Sequence, residues 1–321
     1  MNKRMMAVLL RLAVIPLAFL LVSATSYKVD NGTNQNITEH TVCRNVANNH
    51  SSGSDIFVPT NTSTEWSTFY GNPPAGVVVA ACCGGTATIS ANASNVNLFT
   101  LAGSPSCTGG TWTITINNNI VVNSTSAATA ALVTGTWPAG STVTLVNNGE
   151  IYGKGGAGGV GGNGDTGPGT AGSAGGDAIS LGANITINNT GGNIFGAGGG
   201  GGAGRGCGSG GLGNRRGGGG GGGGQGSTNT PGGAGGTGNT AAGTAGGTGS
   251  VASAGIGGAG TGAGGCSTSG SPDGGAGGAW GAAGAASSNA GGAAGKAIDR
   301  NGFTATFTGG NNATQVKGAV N

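Results

Sequence analysis

The run NNGEIYGKGGAGGVGG, Asn147 to Gly162, begins like the end of a β-strand and then becomes glycine at two of every three positions. Glycine has no side chain to bury and loses the most backbone freedom on ordering. A chain with 79 glycines in 321 residues therefore cannot build an ordinary hydrophobic core over most of its length. It is either a flexible spacer or a fold that uses glycine as its building block. Written in threes, the run reads GGA, GGV, GGN, with Ala157, Val160, Asn163 and Thr166 in the third column. Period three is that of the polyproline-II helix, which has no internal hydrogen bonds. Such helices with glycine on two faces can pack side by side, and each then hydrogen-bonds its neighbours, so that buried N–H and C=O groups are paired. The third column belongs outside or at a rim. Collagen is a poor alternative, because the run lasts only about five triplets and the chain holds 9 prolines.

The glycine-rich part, 153–295, is interrupted by an ordinary segment at 176–196. VNNGEIYG, Val146 to Gly153, matches INNTGGNIFG, Ile187 to Gly196, and GDAISLGANITI, Gly176 to Ile187, matches GKAIDRNGFTAT, Gly295 to Thr306. The order strand, excursion, strand, excursion, strand predicts excursions that begin and end on one platform. Before them, 84–152 is strand-like: TATISA, VNLFTLA, TWTITINNNIVVN, ALVTGTW and STVTLVNN alternate β-branched and polar residues at period two. They predict short antiparallel strands or coils of a β-solenoid, with Asn and Thr columns as stacked ladders. The later excursions read differently, the second holding the octaglycine Gly217–Gly224; changes of register, Pro231, Pro272 and the charged spots are expected to mark chain reversals at the ends of a bundle. Residues 296–321 return to β character. The expected fold class is β plus polyglycine-II, with a small N-terminal β-rich module at 27–83. In that module, STEW predicts a short helix starting at Ser63 or Thr64, with Trp66, Phe69 and Tyr70 near one face.

Residues 1–26 form a separate segment. Lys3, Arg4 and Arg11 precede the apolar run Leu12–Ala24, and small residues follow. This pattern predicts a signal peptide or a hydrophobic N-terminal segment, and hence a mature chain that is secreted and outside the membrane. The six cysteines, Cys43, Cys82, Cys83, Cys107, Cys207 and Cys266, suit disulfides in an exported chain. Cys207 to Cys266 is the favoured bridge, closing a loop of about 60 residues worth ~3–5 kcal/mol. His40 and His50 lack zinc spacing to these cysteines, so no metal is expected.

Other chemistries find little support. A phosphate loop needs Gly-x-x-x-x-Gly-Lys-Ser/Thr before a helix, and Gly149–Gly156 with Lys154 lacks both the hydroxyl residue and the helix. A net charge of +3 argues against nucleic-acid binding. Two histidines and nine acids, scattered, give no acid–base pair. No enzyme activity and no cofactor are expected. The rare large or charged side chains of the glycine background, Arg205, Leu212, Arg215, Arg216, Asp273 and Trp280, are the candidate contacts of any binding surface, since Arg and aromatic residues anchor most interfaces.

The junctions VNNGEIYGKGGAGGVGG and INNTGGNIFGAGGGGGAG, with the C-terminal QVKGAVN, resemble the glycine-rich distal tail-fibre adhesins and tail-tip proteins of tailed bacteriophages, over roughly Thr86 to Asn321. The resemblance implies a sandwich of polyglycine-II helices whose tip loops bind a host-surface protein or polysaccharide. It also implies no catalysis, a tail-fibre partner or self-association, and a place at the virion tail tip or cell surface. Residues 1–83 depart from that pattern. A secreted bacterial surface or filament-forming protein is the alternative. Ice binding by a Thr/Ala face, with Thr237, Thr240, Thr244 and Thr248, is a further one.

Overall fold

The computed structural model of the protein describes residues 84–106, 108–164, 167–208, 215–261 and 272–321. The signal segment, the 27–83 module with its STEW helix, Leu212 and every cysteine except Cys207 lie outside the described residues. Two compact units are distinguished. The larger comprises Thr86–Pro105, Trp112–Trp137 and Thr142–Asn321. In the smaller, the Gly109 N–H donates to the Ala139 carbonyl at 2.9 Å and that of Ser141 to Pro138 at 3.2 Å.

The chain visits three sheets in rotation. β1 (Gly84–Ile89), β2 (Ala93–Ser94) and β3 (Val96–Asn97) are followed by β4 (Thr111–Ile116), β5 (Val121–Asn123) and β6 (Leu132–Val133). Next come β7 (Thr142–Asn147), β8 (Glu150–Tyr152) and β9 (Ile179–Ser180), then β10 (Ile185–Asn188), β11 (Asn193–Phe195) and β14 (Ile298–Asp299), and finally β15 (Ala305–Gly309) and β16 (Val316–Lys317). The sheet orders are β1-β4-β7-β10-β15, β16-β11-β8-β5-β2 and β14-β9-β6-β3. β10 runs parallel to β7 and β15, and the strands of the other two sheets are parallel to their neighbours. The antiparallel alternative for this region is thereby corrected. Period-two alternation is the same for either sense of pairing, so it could not distinguish them.

Alternation does decide which residues face inward. In TWTITI and TVTLVN every second residue is buried: Trp112, Ile114, Ile116, and Val143, Leu145, Asn147. Successive strands of each sheet stack like on like. Leu132 lies opposite Ile179, and Ile179 opposite Ile298; Val122 lies opposite Ile151, and Ile151 opposite Ile194. These side chains are fully buried, each stabilising the fold by about 1.5–3 kcal/mol. Asn147 and Asn189 continue the stacking in polar form, the amide of Asn147 donating to Asn189 Oδ1 at 2.7 Å, with both residues buried. VNLFTLA departs from its strand reading: after β3 comes a helical turn, α1 (Leu98–Leu101). Asn97 caps it by accepting from the Thr100 N–H, a local bond that competes with a strand ladder.

The two glycine-rich excursions leave the same corner. The first starts at Gly153 after β8 and returns to β9; the second starts at Gly196 after β11 and returns to β14. Since β8 pairs with β11 and β9 with β14, the repeated sequence islands stack directly, Ile179 on Ile298 and Ile151 on Ile194. In the coil before, 124–131 turns the same corner without an excursion.

Within the excursions the chain runs back and forth in extended passes bonded at period three. Gly156, Gly159 and Gly162 donate to Gly198, Gly201 and Gly204. The octaglycine pass is the hub. Gly218, Gly221 and Gly224 donate to the pass 153–164, Gly217, Gly220 and Gly223 to 241–250, and Gly219 and Gly222 to 272–280. Its carbonyls accept from 196–206, 230–238 and 254–261. The octaglycine is therefore the buried interior of the array. A pass with glycine on every face can be surrounded on every side; 153–164, with glycine on two faces, turns Ala157, Val160 and Asn163 outward, and Val160 is 48% exposed.

Candidate functional site

The register of these bonds sorts the reversals into two groups. One group, 226–230, 250–254 and 280–282, lies level with the strands that carry the excursions: Ser227 N–H bonds to Gly153, Gly226 to Ser250, and Gly281 to Gly196. The other group is the far end, where the described chain stops at Gly164, Gly208 and Thr261, resumes at Gly167, Arg215 and Pro272, and turns back at 238–241 and 287–289. Glycine reversals have no side chains to fix them, so the neighbouring polar residues do it. Asn163 Oδ1 accepts from the Thr237 N–H at 2.8 Å and from its hydroxyl at 2.9 Å. Asn239 Oδ1 accepts from the Arg215 N–H at 2.8 Å. Asn289 donates to the Ala203 carbonyl at 2.8 Å and also to that of Pro168. Sequence reasoning had not singled out Asn239 or Asn289; an asparagine in a glycine-rich turn was the available signal.

The candidate contacts divide between the two ends. Arg205 is exposed on the pass 196–206 near the far end. Arg215 and Arg216 form β13 (Arg215–Arg216), antiparallel to β12 (Cys207–Gly208). Cys207 is disulfide-bonded, and its partner is one of the cysteines outside the described residues. Asp273 is exposed, and its carboxylate accepts from the Gly260 N–H at 2.8 Å. Trp280 sits at the opposite end. Its ring lies 4.8 Å from Tyr152 and 5.5 Å from Phe195, the residues that precede each excursion, and Lys317 Nζ stands 4.5 Å over Phe195. Burial, reinforced by its hydrogen bond to Glu150, pushes the Tyr152 hydroxyl far above the usual phenol range and keeps it neutral. There Trp280 packs as a junction residue.

The threonines raised for ice binding are partly engaged within the molecule. Thr237 bonds to Asn163, and Thr244 Oγ1 accepts from the Ala259 N–H at 2.6 Å. Among the described residues, no three His, Cys, Asp or Glu side chains come together as a metal site would require. Among the same residues, no helix is long and apolar enough to cross a membrane.

Residues 85–217 match the family model of the phage tail fibre adhesin Gp38. Over that span the chain is similar to the phage tail fibre adhesins. The adhesin-like span takes in the first excursion and the pass 196–206, with Arg205, Arg215 and Arg216, and leaves Asp273 and Trp280 beyond it. A solved structure with some likeness is the crystal structure of the gp37-gp38 adhesin tip complex of the bacteriophage S16 long tail fiber. It is 24% identical with a TM-score of 0.47, over 71% of this chain and 79% of that one. No curated protein matches the chain.

Proposed function

We propose that the protein is a receptor-binding adhesin carried on a phage tail fibre at the virion tip. In this reading 84–152, with the strand insert 176–196 and the segment 296–321, is a β-solenoid-like platform. The glycine passes of 153–295 are polyglycine-II helices standing on it, and the far-end reversals meet a host-surface protein or polysaccharide. Residues 1–26 and 27–83 are a leader segment and a cysteine-containing module. The observation that carries the reading is the adhesin family match over 85–217, which spans both platform strands and the first glycine passes. The period-three bonding of the passes supports the polyglycine-II assignment. Cys207 is assigned to Cys266, because Thr261 and Pro272, the nearest described residues on either side of Cys266, bond to Gly217 and Gly219 just after β13.

The far end is proposed as the receptor surface because reversals can vary without disturbing the lattice below them. Labelled full-length protein is expected to bind host cells and to compete with phage adsorption. Exchanging residues 209–214 for another sequence should change which cells are bound while leaving the melting temperature within about 2–4 °C, a shift of roughly 1 kcal/mol. Unchanged cell selectivity after exchange of every far-end reversal would place receptor binding elsewhere.

A further inference from the structure

The far ends of the passes are laced to one another by side chains. Asn163, next to the end of 153–164, accepts from the N–H and the hydroxyl of Thr237, at the end of 230–238. Asn289, at the start of 289–295, donates to the carbonyls of Ala203 and Pro168, which lie on two further passes. The Gly167 N–H donates to the Asn163 carbonyl at 3.1 Å and so joins these two links. The Asp273 carboxylate accepts from the Gly260 N–H, while the Asp273 carbonyl accepts from the Ser287 hydroxyl. Except for the bond to Ala203, these side-chain bonds are exposed. A hydrogen bond open to water adds little to global stability, because both partners are solvated when it breaks. Its effect is local. It fixes where the end of a pass stands, in a region where glycine has no side chain to do so. The bonding atom of Asn163 is the acceptor oxygen. That of Asn289 is the donor nitrogen, since both its partners are carbonyls.

Resting on the adhesin reading, we infer that this lacing makes the far end one composite receptor surface, with Asn163 and Asn289 as its positioning residues. They hold neighbouring pass ends in the geometry that the receptor meets, and they act through those ends rather than by touching the receptor. A surface ordered in advance loses little conformational freedom on contact. Unlaced ends must be ordered at the moment of binding, and that cost is subtracted from the affinity. The two asparagines serve one network: Asn289 holds Pro168, whose neighbour Gly167 bonds to Asn163, which holds Thr237.

The test uses full-length oxidised protein, intact host cells and native-state hydrogen exchange. Asn163→Ala and Asn289→Ala should each weaken cell binding about tenfold, through faster dissociation, and leave the melting temperature within about 2–4 °C of wild type. The Gly167 amide should exchange about tenfold faster in both variants, with Gly217–Gly224 unchanged. The acid variants separate the two residues. Asn163→Asp keeps the acceptor oxygen and should bind like wild type; Asn289→Asp loses the donor and should bind no better than Asn289→Ala. The double Ala variant should lose less than the product of the single losses, because one network is then released twice. Unchanged exchange at Gly167 in both Ala variants overturns the inference, and so does faster exchange with undiminished binding; either leaves the adhesin reading standing. Asn163→Asp binding as poorly as Asn163→Ala overturns it too, because the amide itself would then be what the receptor reads. If Asn289→Ala loses its cooperative melt, Asn163→Ala, whose side-chain bonds are all exposed, decides the matter alone. Wild-type protein that binds no host cell overturns the adhesin reading and the positioning role with it.

Discussion

Asn147 and Asn189 are buried polar residues in a column that is otherwise apolar. Each is bonded: Asn147 to Asn189 and to the Asn193 carbonyl, and Asn189 to the Gly310 carbonyl. Asn147→Ala should therefore cost about 1–3 kcal/mol, the penalty of leaving a buried partner unsatisfied, seen as a lower urea midpoint at unchanged slope. Asp177 makes a prediction of the opposite sign. Burial raises its carboxyl above the ordinary value of 3.8, with Asp299 adding to the rise, while the Lys296 N–H it accepts at 2.6 Å opposes it. A raised pKa contributes stability that is present below pH 3.8 and is lost as pH climbs through the folded value, so the ionised form is a burden at neutral pH. Asp177→Asn keeps the acceptor for Lys296. It should melt no lower than wild type at pH 7, and the difference should shrink toward zero below about pH 4. A variant that melts lower at pH 7 and recovers in acid would contradict this.

At the scale of elements, the number of glycine faces on a pass decides where it can stand. A Cβ at Gly158, Gly159, Gly161 or Gly162 would run into the backbone of a neighbouring pass. Substituting all of these by Ala should abolish the cooperative melt, whereas Val160→Ala, on the outward column, should change stability by less than about 0.5 kcal/mol. In the platform, Ile179→Ala should cost about 2–5 kcal/mol, because its neighbours Leu132 and Ile298 cannot close the gap. Much of this was legible in the sequence. The matched islands give the stacking of Ile179 on Ile298, and the third column of 153–164 gives its exposed face. Parallel pairing was not legible, because period two carries no strand direction. The helical turn at Leu98 was masked by a strand-like composition and decided by the Asn97 cap. The octaglycine has no side-chain pattern, and only its contacts on every side reveal it as interior. For the candidate site, the sequence picked out the arginines of the far end. It could not separate them from Trp280, because which end of a pass a reversal occupies depends on the register between passes.

At the scale of the molecule, the described residues join two kinds of core at one corner. The stacked strands bury isoleucine, leucine and valine, and the excursions bury backbone. Each lattice bond is worth about 0.5–1.5 kcal/mol net, so only a cooperative array can offset the entropy of ordering so much glycine. The direct test is native-state hydrogen exchange of the full-length protein, read residue by residue. The account predicts that the amides of Gly217 to Gly224 exchange as slowly as those of Ile151 and Ile187, by global unfolding. Exchange of the octaglycine at the rate of an unstructured chain, with the platform still protected, would contradict it.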